Sequence, residues 1–423
     1  MLRYLMMFIV LIALLSISLV GVTAQEDENP LPPNYTRFMR AVEDAIADDT
    51  LDDLWADIVA SGQMPIIYDT RVIFMHEADA ENVGWVSGFG GLAPFGSSTF
   101  YIPLDGERLG DSNIWMAEAL LPFDARFNYI LLVDGEQIRV DPLAPNQQLE
   151  GAGYESTFWM PGYVYPETII PRDDIEKGTF NEPVTVTSEF LERDVNVRVY
   201  LPVGYEDMSD DLPVMYVTDG NDYWHDEMGA MVTVLDNLYA DGSLEPAIIA
   251  FIDARDVRTG TNLRGSELGA NEDYARFLTE ELIPYMDANY RTIADREART
   301  AVGTSTGGVL MLYLGLNYTE FIGNLAIQSP FLLFSPLPAA YAALDEPLPL
   351  NIFMNQGTYD LTMPDTRLMR DYFADNGYPM LYMETNNMHG WSNWPATLDE
   401  LLIYFYGVEG AESSIPPISN IEE

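Results

Sequence analysis

The chain has 423 residues, enough for two or three domains, and its 48% hydrophobic content excludes a wholly disordered protein. It carries 67 Asp+Glu against 20 Lys+Arg, a formal net charge of −47, with Lys177 the single lysine; such a surface repels phosphate backbones and anionic lipid, which argues against nucleic-acid and membrane partners. The absence of cysteine excludes disulfides, thiolate nucleophiles and Fe–S clusters, and with only His76, His225 and His389 no metal centre and no cofactor are expected.

Residues 1–24 read as an export signal. Arg3 supplies the positive n-region, Tyr4 to Val20 an apolar run of about 17 residues, and Val22-Thr23-Ala24 a small-residue cleavage site. Uncleaved, the same run would serve as a membrane anchor, so the expected location is periplasmic, cell-surface or extracellular. From Asn34 to Ile67 the apolar residues Phe38, Met39, Val42, Leu51, Leu54, Trp55 and Ile58 recur at helical spacing. Between Arg71 and Met160 the period shortens. Arg71–Met75, Val83–Val86, Ile114–Met116, Phe127–Val133 and Ile138–Val140 are short apolar runs split by Gly, Asp and Pro, as in a small antiparallel, immunoglobulin-like β-sandwich. With its leading helix this unit covers 34–165, and the proline-bearing stretch from Pro161 to Pro183 connects it to the next.

Val195–Leu201 alternates like a half-exposed strand. Val214–Val217, Ile248–Ile252, Thr300–Val302, Leu325–Ile327, Asn351–Met354 and Met380–Met383 are buried-type runs with helical stretches between several of them, notably Tyr274 to Tyr285. Strands alternating with helices imply an α/β domain over 184–408 whose mostly parallel sheet is covered on both faces. An acidic tail, 409–423, follows.

Within that domain Gly303-Thr-Ser305-Thr-Gly307 lies between a buried strand and an apolar helix. A bare Gly-x-Ser-x-Gly arises about once in seven chains of this length, so the strand-before, helix-after context carries the weight. On such a turn the serine hydroxyl projects above the sheet, and the Thr306 N–H at the helix start faces a developing oxyanion. A serine nucleophile needs a base, and His389 is the only histidine after Ser305. Asp360, just past the strand Asn351–Met354, is the leading candidate to orient it; Asp365 is the alternative. The loop after Val214–Val217, Thr218-Asp-Gly-Asn-Asp-Tyr-Trp-His225, is expected to give the second oxyanion donor from Asn221 or Gly220. Asp219, Tyr223, Trp224, Arg264 and Trp391 are candidates for the substrate pocket.

These residues resemble the enterochelin esterase and esterase D group of α/β-hydrolases over nearly the whole chain after the leader. The resemblance rests on Val199–Tyr205, Tyr216–Gly220, Phe251–Arg255, Arg264–Leu268, Glu281–Pro284, the Ser305 turn, Gly357–Asp360 and His389–Trp394. Asp219-Gly220, where many relatives have His-Gly, is similar to the enterochelin-esterase branch. So are Leu54-Trp55, Gln63–Ile67, Asn113–Trp115, Ala125–Tyr129 and Asp141–Pro145, within a β-unit similar to early-set, glycogen-binding-like domains. The resemblance implies an α/β-hydrolase fold with Ser305, Asp360 and His389 as nucleophile, acid and base, and Arg264 with Glu267 as a structural pair near the site. The expected substrate is a small-molecule or carbohydrate ester, either a siderophore ester or an acyl ester on a polysaccharide. An acyltransferase on the same scaffold is one alternative. The other is a surface protein with an inactive hydrolase domain, in which Trp85, Trp115 and Trp159 stack on sugars; sandwich core is the plainer role for these rings.

Overall fold

The computed structural model describes residues 31–93, 97 and 99–411, so the signal-like segment 1–24 and all but the first residues of the acidic tail lie outside the described residues. Two helices lead: α1 (Tyr35–Ala47), whose first turn is capped by the Asn34 side chain accepting from the Arg37 N–H, and α2 (Leu51–Ser61), closed by Gly62 in the left-handed region.

Ten short strands follow: β1 (Ile66–Tyr68), β2 (Arg71–Glu77), β3 (Val83–Val86), β4 (Leu104–Asp105), β5 (Glu107–Arg108), β6 (Ile114–Leu120), β7 (Arg126–Val133), β8 (Glu136–Ile138), β9 (Gln147–Glu150) and β10 (Gly153–Trp159). They form two antiparallel sheets, β1-β2-β6-β5 and β4-β3-β7-β10-β9, with β8 added to β7. Strand alternation explains the packing. Val72 and Phe74 join Trp85, Phe127, Tyr129 and Phe158 in the core between the sheets. Ile73 and Met75 face the other way, onto Phe38, Val42, Trp55 and Ile58 of the helix pair. Trp85 and Trp115 are therefore core residues, whereas Trp159 is 39% exposed. The β9–β10 hairpin escapes the sequence reading because Gln147-Gln-Leu-Glu150 lacks an apolar period; its polar side chains face cavities rather than core.

The remaining strands build one nine-stranded sheet: β11 (Thr179–Phe180), β12 (Val184–Ser188), β13 (Arg193–Leu201), β14 (Val214–Val217), β15 (Ile248–Ile252), β16 (Arg299–Thr304), β17 (Asn324–Gln328), β18 (Asn351–Gly357) and β19 (Met380–Thr385). The order is β11-β13-β15-β14-β16-β17-β18-β19, with β12 also on β13; from β15 to β19 every neighbouring pair is parallel. Helices α3 (Gly220–Tyr223), α4 (Met231–Ala240), α5 (Arg264–Glu267), α6 (Glu272–Arg276), α7 (Ile283–Asn289), α8 (Thr306–Asn317), α9 (Leu337–Ala342), α10 (Met363–Asp375) and α11 (Leu398–Tyr406) connect and cover the strands. One face packs Phe277, Leu282, Leu310 and Leu314 against Val214, Ala301 and Leu325. The other packs Met231, Leu235, Leu398 and Leu402 against Met215, Val302 and Phe353. The helix expected from Tyr274 to Tyr285 is interrupted: a π-helical turn, Phe277–Leu282, precedes Pro284, which has no N–H to donate. Because the strands are parallel, the segments leaving β14, β16, β18 and β19 all emerge at one edge of the sheet.

Candidate active site

Ser305 occupies the turn between β16 and α8 with φ 58° and ψ −116°, a backbone conformation that costs a non-glycine residue energy. Hydrogen bonds hold it there. Its N–H donates to the Gln328 carbonyl (2.9 Å), and its own carbonyl accepts from the N–H groups of Val309 (3.2 Å) and Phe331 (3.0 Å). The flanking glycines are required by close approach: a Cβ on Gly303 would lie 2.5 Å from the Gly307 backbone, and one on Gly307 would lie 2.8 Å from Thr218 Oγ1. Thr306 opens α8, so its N–H has no intrahelical acceptor.

His389, past the end of β19, places Nε2 2.9 Å from Ser305 Oγ and Nδ1 2.7 Å from Asp360 Oδ2. Asp360 follows β18 and is buried; its other oxygen accepts from the Thr362 N–H (3.0 Å) and Oγ1 (3.2 Å). Burial alone would raise the Asp360 pKa, but the His389 charge and hydrogen bond, with Thr362, hold it below the usual carboxylate value. An ionised carboxylate only accepts, so Nδ1 carries the imidazole proton and Nε2 is left to accept from the serine hydroxyl. The ring is held edge-on by Trp394, centroids 5.3 Å apart. Asp365 lies in the first turn of α10, and Glu384 is taken up by Arg367 through two hydrogen bonds of 2.7 and 2.6 Å.

Two cavities meet at this centre. The larger, about 510 Å³, is lined by Ser305, Thr306 and His389 on one side and by Tyr101, Ile130 and Arg139 of the β-region on the other. The smaller, about 330 Å³, is lined by Asp219, Asp222, Arg264, Trp391 and Glu150, and also reaches Ser305 and His389. Asp219, Arg264 and Trp391 thus line a cavity that also reaches Ser305 and His389. Tyr223 and Trp224 do not line either cavity, which corrects their expected place in the pocket. Tyr223 is fully buried, donating to Gln328 Oε1 (2.6 Å) and packing edge-on against Trp391; Trp224 packs on Phe180 and Arg198. Gly220 and Asn221 open α3 and so carry N–H groups without intrahelical acceptors, yet neither lines the cavities.

The expected Arg264–Glu267 pair is also corrected. Arg264 forks onto buried Asp219 (3.0 and 3.1 Å), while Glu267 is held by Arg193 (2.7 and 2.6 Å). Burial, reinforced by the Asp219 charge, raises the Asp222 pKa against the pull of Arg255 and Arg264. Sequence reading misses Glu150 altogether. Enclosure by protein pushes its carboxyl up to about 8, Glu155 adding to the rise while the Trp391 N–H, Asn128 and Arg126 oppose it. Among the described residues no cluster of His, Asp and Glu fit to hold a metal ion occurs.

A family model described as "Putative esterase" matches residues 188–405. The uncharacterized protein YjcH of Bacillus subtilis is 28% identical over 191 residues, 45% of this chain and 78% of that protein. The endo-1,4-beta-xylanase/feruloyl esterase of Xylanibacter ruminicola is 29% identical over 236 residues, 52% of this chain but 31% of that enzyme. The iron(III) enterobactin esterase of Escherichia coli K12 is 33% identical over 133 residues, 31% of this chain and 32% of that enzyme. The chain therefore spans about a third of the length of these two enzymes. In structure it is similar to the enterobactin esterase of Shigella flexneri, with a TM-score of 0.62 at 19% identity, covering 79% of this chain and 92% of that one. The shared architecture is an α/β-hydrolase fold preceded by an all-β region.

Proposed function

Since the chain belongs to the esterase family that this model describes, and is accordingly a carboxylic-ester hydrolase, we propose that it is an exported serine esterase working through Ser305, His389 and Asp360. In this reading Ser305 Oγ attacks the ester carbonyl while its proton passes to His389 Nε2. Asp360 keeps the imidazole in the productive tautomer and stabilises its charged form. The tetrahedral oxyanion is met by the Thr306 N–H at the head of α8, and the second donor in this reading is Asn221 or Gly220, which line neither cavity but directly follow Asp219, which does. Collapse breaks the ester C–O bond, and the alcohol leaves with the proton from His389. Water, deprotonated by the same imidazole, then attacks the acyl-enzyme, releasing the acid and restoring Ser305. The observation that carries the reading is the unbroken relay of 2.9 and 2.7 Å onto a serine held in a strained turn.

The reading divides the chain into an N-terminal unit, 34–165, a catalytic unit, 184–408, and the acidic tail, 409–423. Two substrate classes remain, siderophore esters and acylated carbohydrates, matching the names borne by the two enzyme relatives. A net charge of −47 disfavours long-range attraction of an anionic ferric siderophore and leaves a neutral acyl-sugar unopposed. Export is supported by the leader-like pattern of residues 1–24, and cell fractionation tests it. The deciding experiment is turnover of p-nitrophenyl acetate by the wild-type chain and by Ser305→Ala. Wild-type turnover that the variant lacks supports the mechanism; two equally inactive proteins would favour the inactive-domain alternative. A panel of ferric enterobactin, feruloyl-arabinose and acetyl-xylan then ranks the substrates, and an added alcohol acceptor detects acyl transfer.

A further inference from the structure

One carboxylate at the site does not come from the catalytic sheet. Glu150 ends β9, in the sheet of the β-region, and lines both cavities that reach Ser305 and His389. Its Oε2 accepts from the main-chain N–H of Trp391 at 3.0 Å, two residues beyond His389 and 241 residues away in sequence. Its Oε1 accepts from Asn128 Nδ2 at 2.7 Å. Gly390, between His389 and Trp391, lies against the carboxyl group: a Cβ there would be 2.9 Å from each of its oxygens. Gly390 also has φ 155°, which side-chain-bearing residues rarely adopt, so backbone conformation and the nearby carboxyl group both favour glycine directly after the histidine.

Ahead of the imidazole the turn is already tied to the β-region: the Asn386 carbonyl accepts from the Arg126 N–H (3.1 Å), Asn386 Nδ2 donates to Asp124 (2.7 Å), and Met388 packs into the sandwich core. Past the imidazole, the Gly390 carbonyl accepts from the N–H groups of Asn393 (3.0 Å) and Trp394 (3.3 Å), which closes the turn on itself, and Glu150 meets the main chain there from the β-region. Without Glu150 the buried Trp391 N–H loses its acceptor, and an unpaired buried N–H drives local rearrangement. A shift of about 1 Å in a catalytic group can cost about a hundredfold in rate.

We propose that Glu150 is a positioning residue of the catalytic centre: it ties the His389-Gly390-Trp391 main chain to the β-region and so keeps the imidazole aligned between Asp360 and Ser305. The inference rests on the Ser305–His389–Asp360 reading. The surroundings favour a neutral acid in this role. Facing Glu150 are Glu155 of β10, which raises its pKa, and Arg126 of β7, which lowers it; Arg139 is engaged by Glu155 at 2.8 Å. Across the smaller cavity stand Asp222 and the Asp219–Arg264 pair, with His389 beside them. Asn128 Oδ1 is buried without a partner, so a flipped Asn128 amide can accept the Glu150 proton. A neutral Glu150 accepts from Trp391 without setting a second anion beside the developing oxyanion; its ionisation near about pH 8 should therefore depress turnover.

The test compares Glu150→Ala and Glu150→Gln with the wild-type chain and Ser305→Ala, using p-nitrophenyl acetate and concentrations corrected by the acyl-enzyme burst. The expected result is a kcat loss of about thirtyfold in Glu150→Ala, with KM for this small ester changed by less than about threefold. Glu150→Gln, whose amide oxygen still accepts from Trp391, should recover most of that loss at neutral pH. It should also lack the alkaline decline in kcat expected of the wild type. A folded Glu150→Ala with kcat within about twofold of wild type overturns the inference, as does a Glu150→Gln no better than Glu150→Ala. If Ser305→Ala is itself fully active, the underlying mechanism fails; if it is inert while Glu150→Ala keeps its kcat, the positioning role alone fails.

Discussion

Asp360→Asn replaces one carboxylate oxygen by an NH2 group at nearly constant volume. The Thr362 N–H and hydroxyl both donate to Oδ1, so the amide oxygen is pinned there and the NH2 is directed at His389 Nδ1. Nδ1 must then accept, the imidazole proton moves to Nε2, and that nitrogen can no longer take the Ser305 proton across 2.9 Å. A wrong tautomer of this kind lowers kcat by about ten-thousand-fold in serine hydrolases, equivalent to about 5 kcal/mol in the barrier. The assay is steady-state hydrolysis of p-nitrophenyl acetate near neutral pH, with thermal melting to show that the fold survives. Asp365→Asn serves as control and should match wild type. An Asp360→Asn kcat within about tenfold of wild type, or an equal loss in Asp365→Asn, would refute the tautomer reasoning.

Arg264→Ala strands the carboxylate of Asp219, 2% exposed, and should cost about 3 kcal/mol in urea unfolding; adding Asp219→Ala should recover at least half of that. Gly303→Ala drives a Cβ to 2.5 Å from the Gly307 backbone, where no flexible side chain can yield, and should cost about 2 kcal/mol or more by the same measurement. Trp85→Ala opens the sandwich core and is expected to cost about 4 kcal/mol, against less than about 0.5 kcal/mol for Trp159→Ala, 39% exposed. Asp360 has a folded-state pKa below its unfolded value, so its contribution to stability is complete above about pH 4 and disappears as pH falls through the folded value. Melting curves in acid should accordingly converge for wild type and Asp360→Asn.

Ser305 and His389 were legible in the sequence because their signals are local. A serine between glycines at a strand–helix junction, and one histidine in the right order after it, require no knowledge of packing. Asp360 needed only the end of β18 to be recognised. The pairing of arginines was illegible for the opposite reason. Arg264 and Glu267 are three residues apart, but α5 is a single turn, and burial decides the partners: Arg193 reaches Glu267 from 74 residues earlier. Tyr223 and Trp224 share a loop with Asp219, yet α3 turns Tyr223 beneath the site rather than into it. Glu150 had no signal at all. In Gln147-Gln-Leu-Glu150-Gly it reads as a solvated hairpin carboxylate; its partners, Asn128 from β7 and the Trp391 N–H from the turn after β19, come from distant parts of the chain.

The larger cavity has a divided origin: Ser305, Thr306 and His389 are delivered by the catalytic sheet, whereas Tyr101, Ile130 and Arg139 come from strands and loops of the β-region. On the proposed mechanism, the reacting groups and the facing wall of the cavity are supplied by separate stretches of chain. Cavity-facing positions such as Gln137, Arg139 and Ala152 can be varied without altering a bond of the relay. An engineer seeking a new ester would therefore vary these wall positions and leave the residues of the relay alone.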